Sequence, residues 1–163
     1  LRWILQKGGV SLSSADESRL MQQKNAHYLQ LIDHITPDNL YPGVQPLFTA
    51  LKQSGIKIGL ASASKNAAFV VERLGIAPQF DYIADANTVS NSKPDPEVFL
   101  LAAKGLGVAP PHCIGVEDAQ AGIEAINRAG MKAIAIGDAA ILNGALKVYP
   151  SVKAIQLKEL LSV

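Results

Sequence analysis

Four polar residues stand at the ends of apolar runs in this chain or in the loops leaving them. Ser62 closes the stretch Ile56-Lys-Ile-Gly-Leu-Ala-Ser62, Lys93 lies in Ser92-Lys-Pro-Asp-Pro96, and Glu117 and Asp118 follow Cys113-Ile-Gly-Val116. A hydroxyl, an ammonium and two adjacent carboxylates suit one pocket for a phosphate and a metal ion. The hydroxyl can donate to a phosphate oxygen, with the amides of a following helix N-terminus nearby. A point cation at Lys93 can neutralise a phosphate and a neighbouring carboxylate together. Two adjacent carboxylates in a low-dielectric crevice repel each other unless a cation sits between them. Oxygen ligands in a phosphate setting favour Mg²⁺ over a transition metal.

Some of these residues and their neighbours also have a plainer reading. Ser64 is better placed than Ser62 to cap a helix starting near Lys65, so capping does not require Ser62. Asp95 is explained as an N-cap with Pro96 in the first helical position, and it receives no catalytic role. Lys93 has no such explanation, because a Lys-Pro step serves neither cap nor turn. Asp118 can cap a helix starting at Ala119, but that leaves Glu117 unexplained. His27, His34 and His112 are scattered without ligand spacing. Lys24 shares a helical stripe with Leu20, Met21, Tyr28, Leu31 and Ile32. Either its stem packs while its ammonium reaches water, or an anion lies beneath that helix.

The elements that must position these residues alternate. Leu1–Lys7 has helical spacing with Gly8-Gly9 as its stop, and Ser14-Ala-Asp-Glu17 has the capping-box pattern of a second helix running to about Ile32. Thr36 to Gly43 is a Pro- and Gly-bearing linker. Helices are expected over 44–54, 65–74, 96–106, 119–129 and 139–147, with glycines 55, 75 and 130 as stops. Strands are expected over 56–62, 82–84, 112–116, 132–136 and 153–155, with a polar loop over 85–91 and a last helical turn or two. The strands read as short continuous apolar runs, which suits a parallel sheet covered on both faces. The expectation is a doubly wound α/β core with a helical appendage at its amino end. Ligands of such sheets bind beyond the carboxyl ends of the strands, where Ser62, Lys93, Glu117 and Asp118 fall.

Bulk properties exclude several classes. A chain of 163 residues with 48% hydrophobic and 18% charged residues is globular. A net charge of +1 without a basic run leaves nucleic acid no electrostatic footprint. No apolar run reaches the roughly 18 residues that span a bilayer. The single cysteine, Cys113, has no internal partner and points to a reducing compartment, here the cytoplasm. Leu1 is not an initiator residue, and the sequence reads as a fragment beginning inside a helix.

The order of Ser62, then Ser92-Lys-Pro-Asp-Pro96, then Gly115-Val-Glu-Asp-Ala-Gln-Ala-Gly-Ile123 resembles motifs two to four of the haloacid dehalogenase superfamily. Tyr41-Pro-Gly43, Leu60-Ala-Ser-Ala-Ser-Lys-Asn66 and Lys24-Asn25 resemble its branch that isomerises hexose phosphates. The resemblance implies a core over 37–163 and a helical cap over 1–36, incomplete at its amino end. In these roles Ser62 would hold the transferring phosphoryl group and Lys93 would bridge it to the nucleophile, while Glu117 and Asp118 would hold Mg²⁺. Ala63, Ser64, Lys65 and Asn66 would line the substrate pocket, and Lys24 would reach the substrate's distal phosphate. The reaction implied is Mg²⁺-dependent interconversion of β-glucose 1-phosphate and glucose 6-phosphate through an aspartyl-phosphate, by a monomer. The rivals are a sugar-phosphate or phosphoglycolate phosphatase of the same superfamily and a non-catalytic phosphate binder. One departure stands out: the sequence holds no Asp-x-Asp motif, which in the superfamily carries the nucleophile. The 163 residues alone are therefore expected to be inert. The superfamily's first strand, which lies between strands 56–62 and 112–116, is absent as well, so two unpaired strand edges are expected.

Overall fold

The computed structural model describes residues 5 and 7–162. The chain forms two compact units, Leu1–Thr36 and Pro37–Val163. The expected first helix lies for its greater part outside the described residues. Leu5 and Lys7 are helical, and the amide of Val10 donates to the Leu5 carbonyl across Gly9 at φ +66°. Helix α1 (Ser14–Asp33) is the body of the first unit. Its cap is Ser13, one residue earlier than expected; its hydroxyl accepts from the Asp16 amide and donates to the Asp16 carboxylate. The apolar stripe is not buried as a whole: among the described residues of this unit only Ile32 is buried, Leu20 is half-buried, and Met21, Tyr28 and Leu31 stay exposed.

The second unit runs α2 (Val44–Gln53), β1 (Gly59–Leu60), α3 (Ala67–Arg73), β2 (Tyr82–Ile83), α4 (Glu97–Leu106), β3 (Ile114–Glu117), α5 (Gln120–Arg128), β4 (Lys132–Ile136), β5 (Lys147–Tyr149) and α6 (Leu157–Leu160). All strand pairs are parallel, as expected. Strand β4 shows how the faces are covered. Side chains alternate along a strand, so Ala133 and Ala135 join the core under α4 and α5, with Val98, Phe99, Ala102, Ile123 and Ile126. Ile134 points the other way, packing with Tyr149 and Leu160 against Leu47 and Leu51 of α2. Helices therefore cover both faces, the doubly wound arrangement.

The pairing stops in the middle. Strands β1 and β2 form one sheet and β3, β4 and β5 another, with no ladder between β1 and β3 among the described residues. A cavity of about 690 Å³ lies between the two sheets, lined by residues from both. Strand β1 is accordingly shorter than the expected 56–62. Its only neighbour among the described residues is β2, and the Asp81 carboxylate takes the Ile58 amide at 2.7 Å, ending the ladder there.

The carboxyl-terminal third departs from expectation. Residues 139–147 form turns instead of a helix. The Asp138 side chain accepts from the Ala140 amide, and Gly144 adopts φ +83°, which breaks helical continuity. The Leu146 amide then donates to Ala133, leading the chain into β5 beside β4. The expected strand 153–155 is a 3₁₀ turn, Val152–Ala154. Strand β5 occupies the sheet edge in its place. Lys147 and Tyr149 both bond the Glu159 carboxylate, fastening α6 to that strand.

Candidate active site

Glu117 closes β3, and two glycines let it do so. A Cβ on Gly115 would fall within 3.0 Å of three Ile126 side-chain atoms, so α5 packs directly on the strand. A Cβ on Gly122 would fall within 3.0 Å of the Glu117 side chain, which lies across the first turn of α5. In that position Glu117 Oε2 accepts from Lys93 Nζ at 2.6 Å, with side chains 11% and 23% exposed. The ammonium also sits 4.7 Å from the centroid of the buried Phe99 ring, within cation–π range. The cation demanded by the acidic pair is, on the Glu117 side, Lys93 itself.

The loop carrying Lys93 is held at several points. Glu97, the first residue of α4, accepts from the Ser90 amide at 2.9 Å and from the Asn91 amide at 2.7 Å. These backbone donors hold its carboxyl below the ordinary carboxylate value, Ser90 contributing most. Asp95 accepts from the Glu97 amide at 3.0 Å, the capping role expected of it. Arg128 donates to the Pro94 carbonyl at 3.2 Å, tying the far end of the loop to α5.

Ser62 follows β1 and starts two nested turns. Its hydroxyl accepts from the Ser64 amide at 3.2 Å, and the Ser64 hydroxyl accepts from the Asn66 amide at 3.3 Å. Helix α3 starts only at Ala67, with Asn66 at the cap position and no side-chain cap bond. Ser64 therefore does not cap a helix at Lys65, contrary to expectation, and serves the turn instead. Ala63 and Lys65 are exposed; Ser62, Ser64 and Asn66 are half-buried. No hydrogen bond or ion pair among the described residues joins this turn to the Lys93–Glu117 pair. Asp118 is exposed and has no cap role, since α5 begins beyond Ala119 without a side-chain cap bond. The plainer reading of Asp118 thus fails.

Residues 2–130 match the model of a haloacid dehalogenase-like hydrolase family. The chain belongs to the haloacid dehalogenase-like hydrolase family. Among its members, β-phosphoglucomutase of Bacillus subtilis is 44% identical over 147 residues, covering 89% of this chain and 65% of that protein. Hexitol phosphatase B of Escherichia coli K12 is 34% identical over 137 residues, covering 83% of this chain and 61% of that protein. The chain thus spans about two thirds of the length of these relatives. A crystal structure of β-phosphoglucomutase from Clostridium difficile superposes with a TM-score of 0.90 at 44% identity, over 98% of this chain and 72% of that one.

Within this family member, Glu117 and Asp118 offer hard carboxylate oxygens, the donor type Mg²⁺ takes in ones and twos beside phosphate and water. They fit that ion as a partial donor set, because among the described residues no third His, Cys, Asp or Glu joins them. Lys24 is exposed on α1, in the other unit. No helix among the described residues is long and apolar enough to cross a membrane. Sequence reasoning missed Gly122, Phe99, Arg128 and Glu97. Only Gly122 had left a signal: a glycine inside a helical pattern costs about 1 kcal/mol against alanine and so marks a close approach.

Proposed function

We infer that this chain is part of a cytoplasmic enzyme that moves a phosphoryl group on a hexose phosphate, interconverting β-glucose 1-phosphate and glucose 6-phosphate. The observation that carries the reading is the partly buried Lys93–Glu117 pair at 2.6 Å beside the exposed Asp118 carboxylate, which has no ion-pair partner among the described residues. The 44% identity to β-phosphoglucomutase supports the choice of substrate.

In this reading Lys93 meets the incoming phosphoryl oxygens with an ammonium already fixed by Glu117 and Phe99. A cation positioned before the reaction needs little reorganisation as charge moves. Ser62 turns its hydroxyl hydrogen towards the phosphoryl group while its oxygen keeps the Ser64 amide. The turn Ala63-Ser64-Lys65-Asn66 lines the sugar side, and Lys65 adds an exposed cation. Glu117 and Asp118 would hold Mg²⁺, which when bound would screen charge on the transferring group. Lys24, exposed on α1, is assigned to the substrate's distal phosphate from the resemblance alone. The attacking carboxylate belongs to an Asp-x-Asp segment that these 163 residues do not contain.

The test is turnover of β-glucose 1-phosphate with Mg²⁺ by a monomeric polypeptide joining the Asp-x-Asp segment to residues 1–163. Glucose 6-phosphate without free phosphate is expected, and residues 1–163 alone should turn over nothing. Free phosphate without isomerisation would overturn the mutase and favour the second reading, a sugar-phosphate phosphatase, which the 34% identity to hexitol phosphatase B supports.

A further inference from the structure

The turn between β3 and α5 is short, and its own side chains do little to hold it. Glu117 ends the sheet in register with Ala135 of β4. Asp118 is exposed, with no hydrogen bond or ion pair among the described residues. Ala119 takes the cap position of α5 without a side-chain cap bond. A carboxylate with no contact of its own takes its place from the backbone that carries it. That backbone runs from the last residue of β3 to the first residue of α5, so whatever fastens the latter places Asp118.

The first residue of α5 is Gln120, half-buried, and its carboxamide is committed to the main chain of Asn143, 23 residues further on. Its Oε1 accepts from the Asn143 amide at 2.8 Å, and its Nε2 donates to the Asn143 carbonyl at 3.2 Å. One planar group thus answers both backbone groups of one residue, which a carboxamide can do and a carboxylate cannot. The point it grips is itself fixed. Leu142 is buried in the core with Ile123 and Ile126 of α5, and the Gly144 carbonyl accepts from Asn127 of α5 at 2.9 Å. Asn143 therefore stands between two anchored neighbours. Asn127 holds the loop to α5 about two turns beyond Gln120, so the loop stays attached to the helix even without the Gln120 bonds. Glu117 itself lies across the first turn of α5, over Gly122. A shift of that turn would move both carboxylates.

We propose that Gln120 is a positioning residue for the Glu117–Asp118 pair. By clamping the Asn143 main chain it sets where the two carboxylates stand, and so how they receive Mg²⁺. The role of the ion rests on the phosphoryl-transfer reading, whereas the clamp rests on the geometry. Groups that hold metal ligands in place govern metal affinity by about 10–100-fold. The neutral carboxamide suits this position. A glutamate would set a carboxylate oxygen against the Asn143 carbonyl and add a third negative charge beside two carboxylates that already repel.

The test compares Q120M and N127A in the polypeptide joining the Asp-x-Asp segment to residues 1–163. Methionine keeps the length of glutamine and can make neither bond to Asn143. N127A removes the other tether of the same loop and so controls for general loosening. Without metal, the amides of Gly122 and Ile123, which donate to the Ala119 carbonyl at 3.0 and 3.1 Å, report the first turn of α5. Their hydrogen–deuterium exchange should be about tenfold faster in Q120M than in the parent, and unchanged in N127A. In calorimetric titration Mg²⁺ should bind Q120M about tenfold more weakly than the parent, and N127A as tightly as the parent. Equal Mg²⁺ affinity in Q120M and the parent would overturn the proposal, as would equal weakening in Q120M and N127A. Unchanged exchange at Gly122 and Ile123 in Q120M would overturn it as well. A parent that takes up no Mg²⁺ would instead overturn the phosphoryl-transfer reading, and the exchange comparison alone would then decide whether Gln120 sets the turn.

Discussion

Replacing Gly122 by alanine sets two effects of opposite sign against each other. In the interior of a helix, alanine is favoured over glycine by about 1 kcal/mol, and Gly122 is not among the glycines with positive φ. Helix propensity alone therefore predicts a more stable protein. The added Cβ, however, would fall within 3.0 Å of Glu117 Cγ, Cδ and Oε2. Overpacking of this size costs about 1–3 kcal/mol, and the displaced carboxylate leaves Lys93 without its 2.6 Å partner. Losing a charge-assisted hydrogen bond adds about 1 kcal/mol or more. The clash wins, and G122A should be less stable than the parent by about 1–3 kcal/mol in urea unfolding. The decisive comparison repeats the substitution in a chain carrying E117A. With the three nearest atoms gone the clash with Glu117 is relieved, so G122A should now stabilise, by up to about 1 kcal/mol because Gly122 lies in the first turn of α5. A sign that stays the same in both backgrounds would refute the assignment of Gly122 as the cradle of Glu117.

Other consequences are simpler to state. K93M removes the cation from a carboxylate only 11% exposed; it should cost about 1–3 kcal/mol and make Mg²⁺ raise Tm more than in the parent, and an equal or smaller Mg²⁺ shift would count against metal binding at Glu117. Glu97 has its carboxyl lowered by the Ser90 and Asn91 amides, so its hold on the loop is complete above the ordinary carboxylate pKa and is lost as pH falls through the lowered folded value. Amide exchange at Ser90 and Asn91 should follow that course, and protection in E97A equal to the parent's would contradict it. Glu159 is likewise lowered, first by Lys147 and then by Tyr149, and its contribution to stability is also lost on acidification through its folded value. E159Q should make α6 more susceptible to limited proteolysis at neutral pH, and unchanged cleavage would contradict that role.

The residues of the candidate site were legible because each stands at the end of an apolar run, or in the loop leaving one, where a hydroxyl, ammonium or carboxylate has no packing role. Lys93 and Glu117 meet as a cation and an anion must when both are withdrawn from water. What sequence could not convey is how tightly the backbone approaches the site. The reach of Glu117 over Gly122 and the seat of Lys93 on Phe99 depend on distances between elements, and periodicity within one element carries no such information. The 139–147 segment fails for a related reason. Its alanines and leucines have helical propensity, but the Asp138 turn and the pairing of Leu146 with Ala133 outweigh a preference worth tenths of a kcal/mol per residue.

The shortness of β1 shows the same principle from the other side. Ile56 to Ser62 has every local mark of a buried strand, yet only Gly59 and Leu60 pair. A strand is a relation between two backbones, and on its far side β1 faces the 690 Å³ cavity. Ile56 to Ser62 therefore keeps its apolar, β-prone sequence while the ladder is confined to Gly59 and Leu60, the two residues that meet β2. Ser62 lies beyond that ladder, and its hydroxyl is held by the Ser64 amide of its own turn instead of by the sheet.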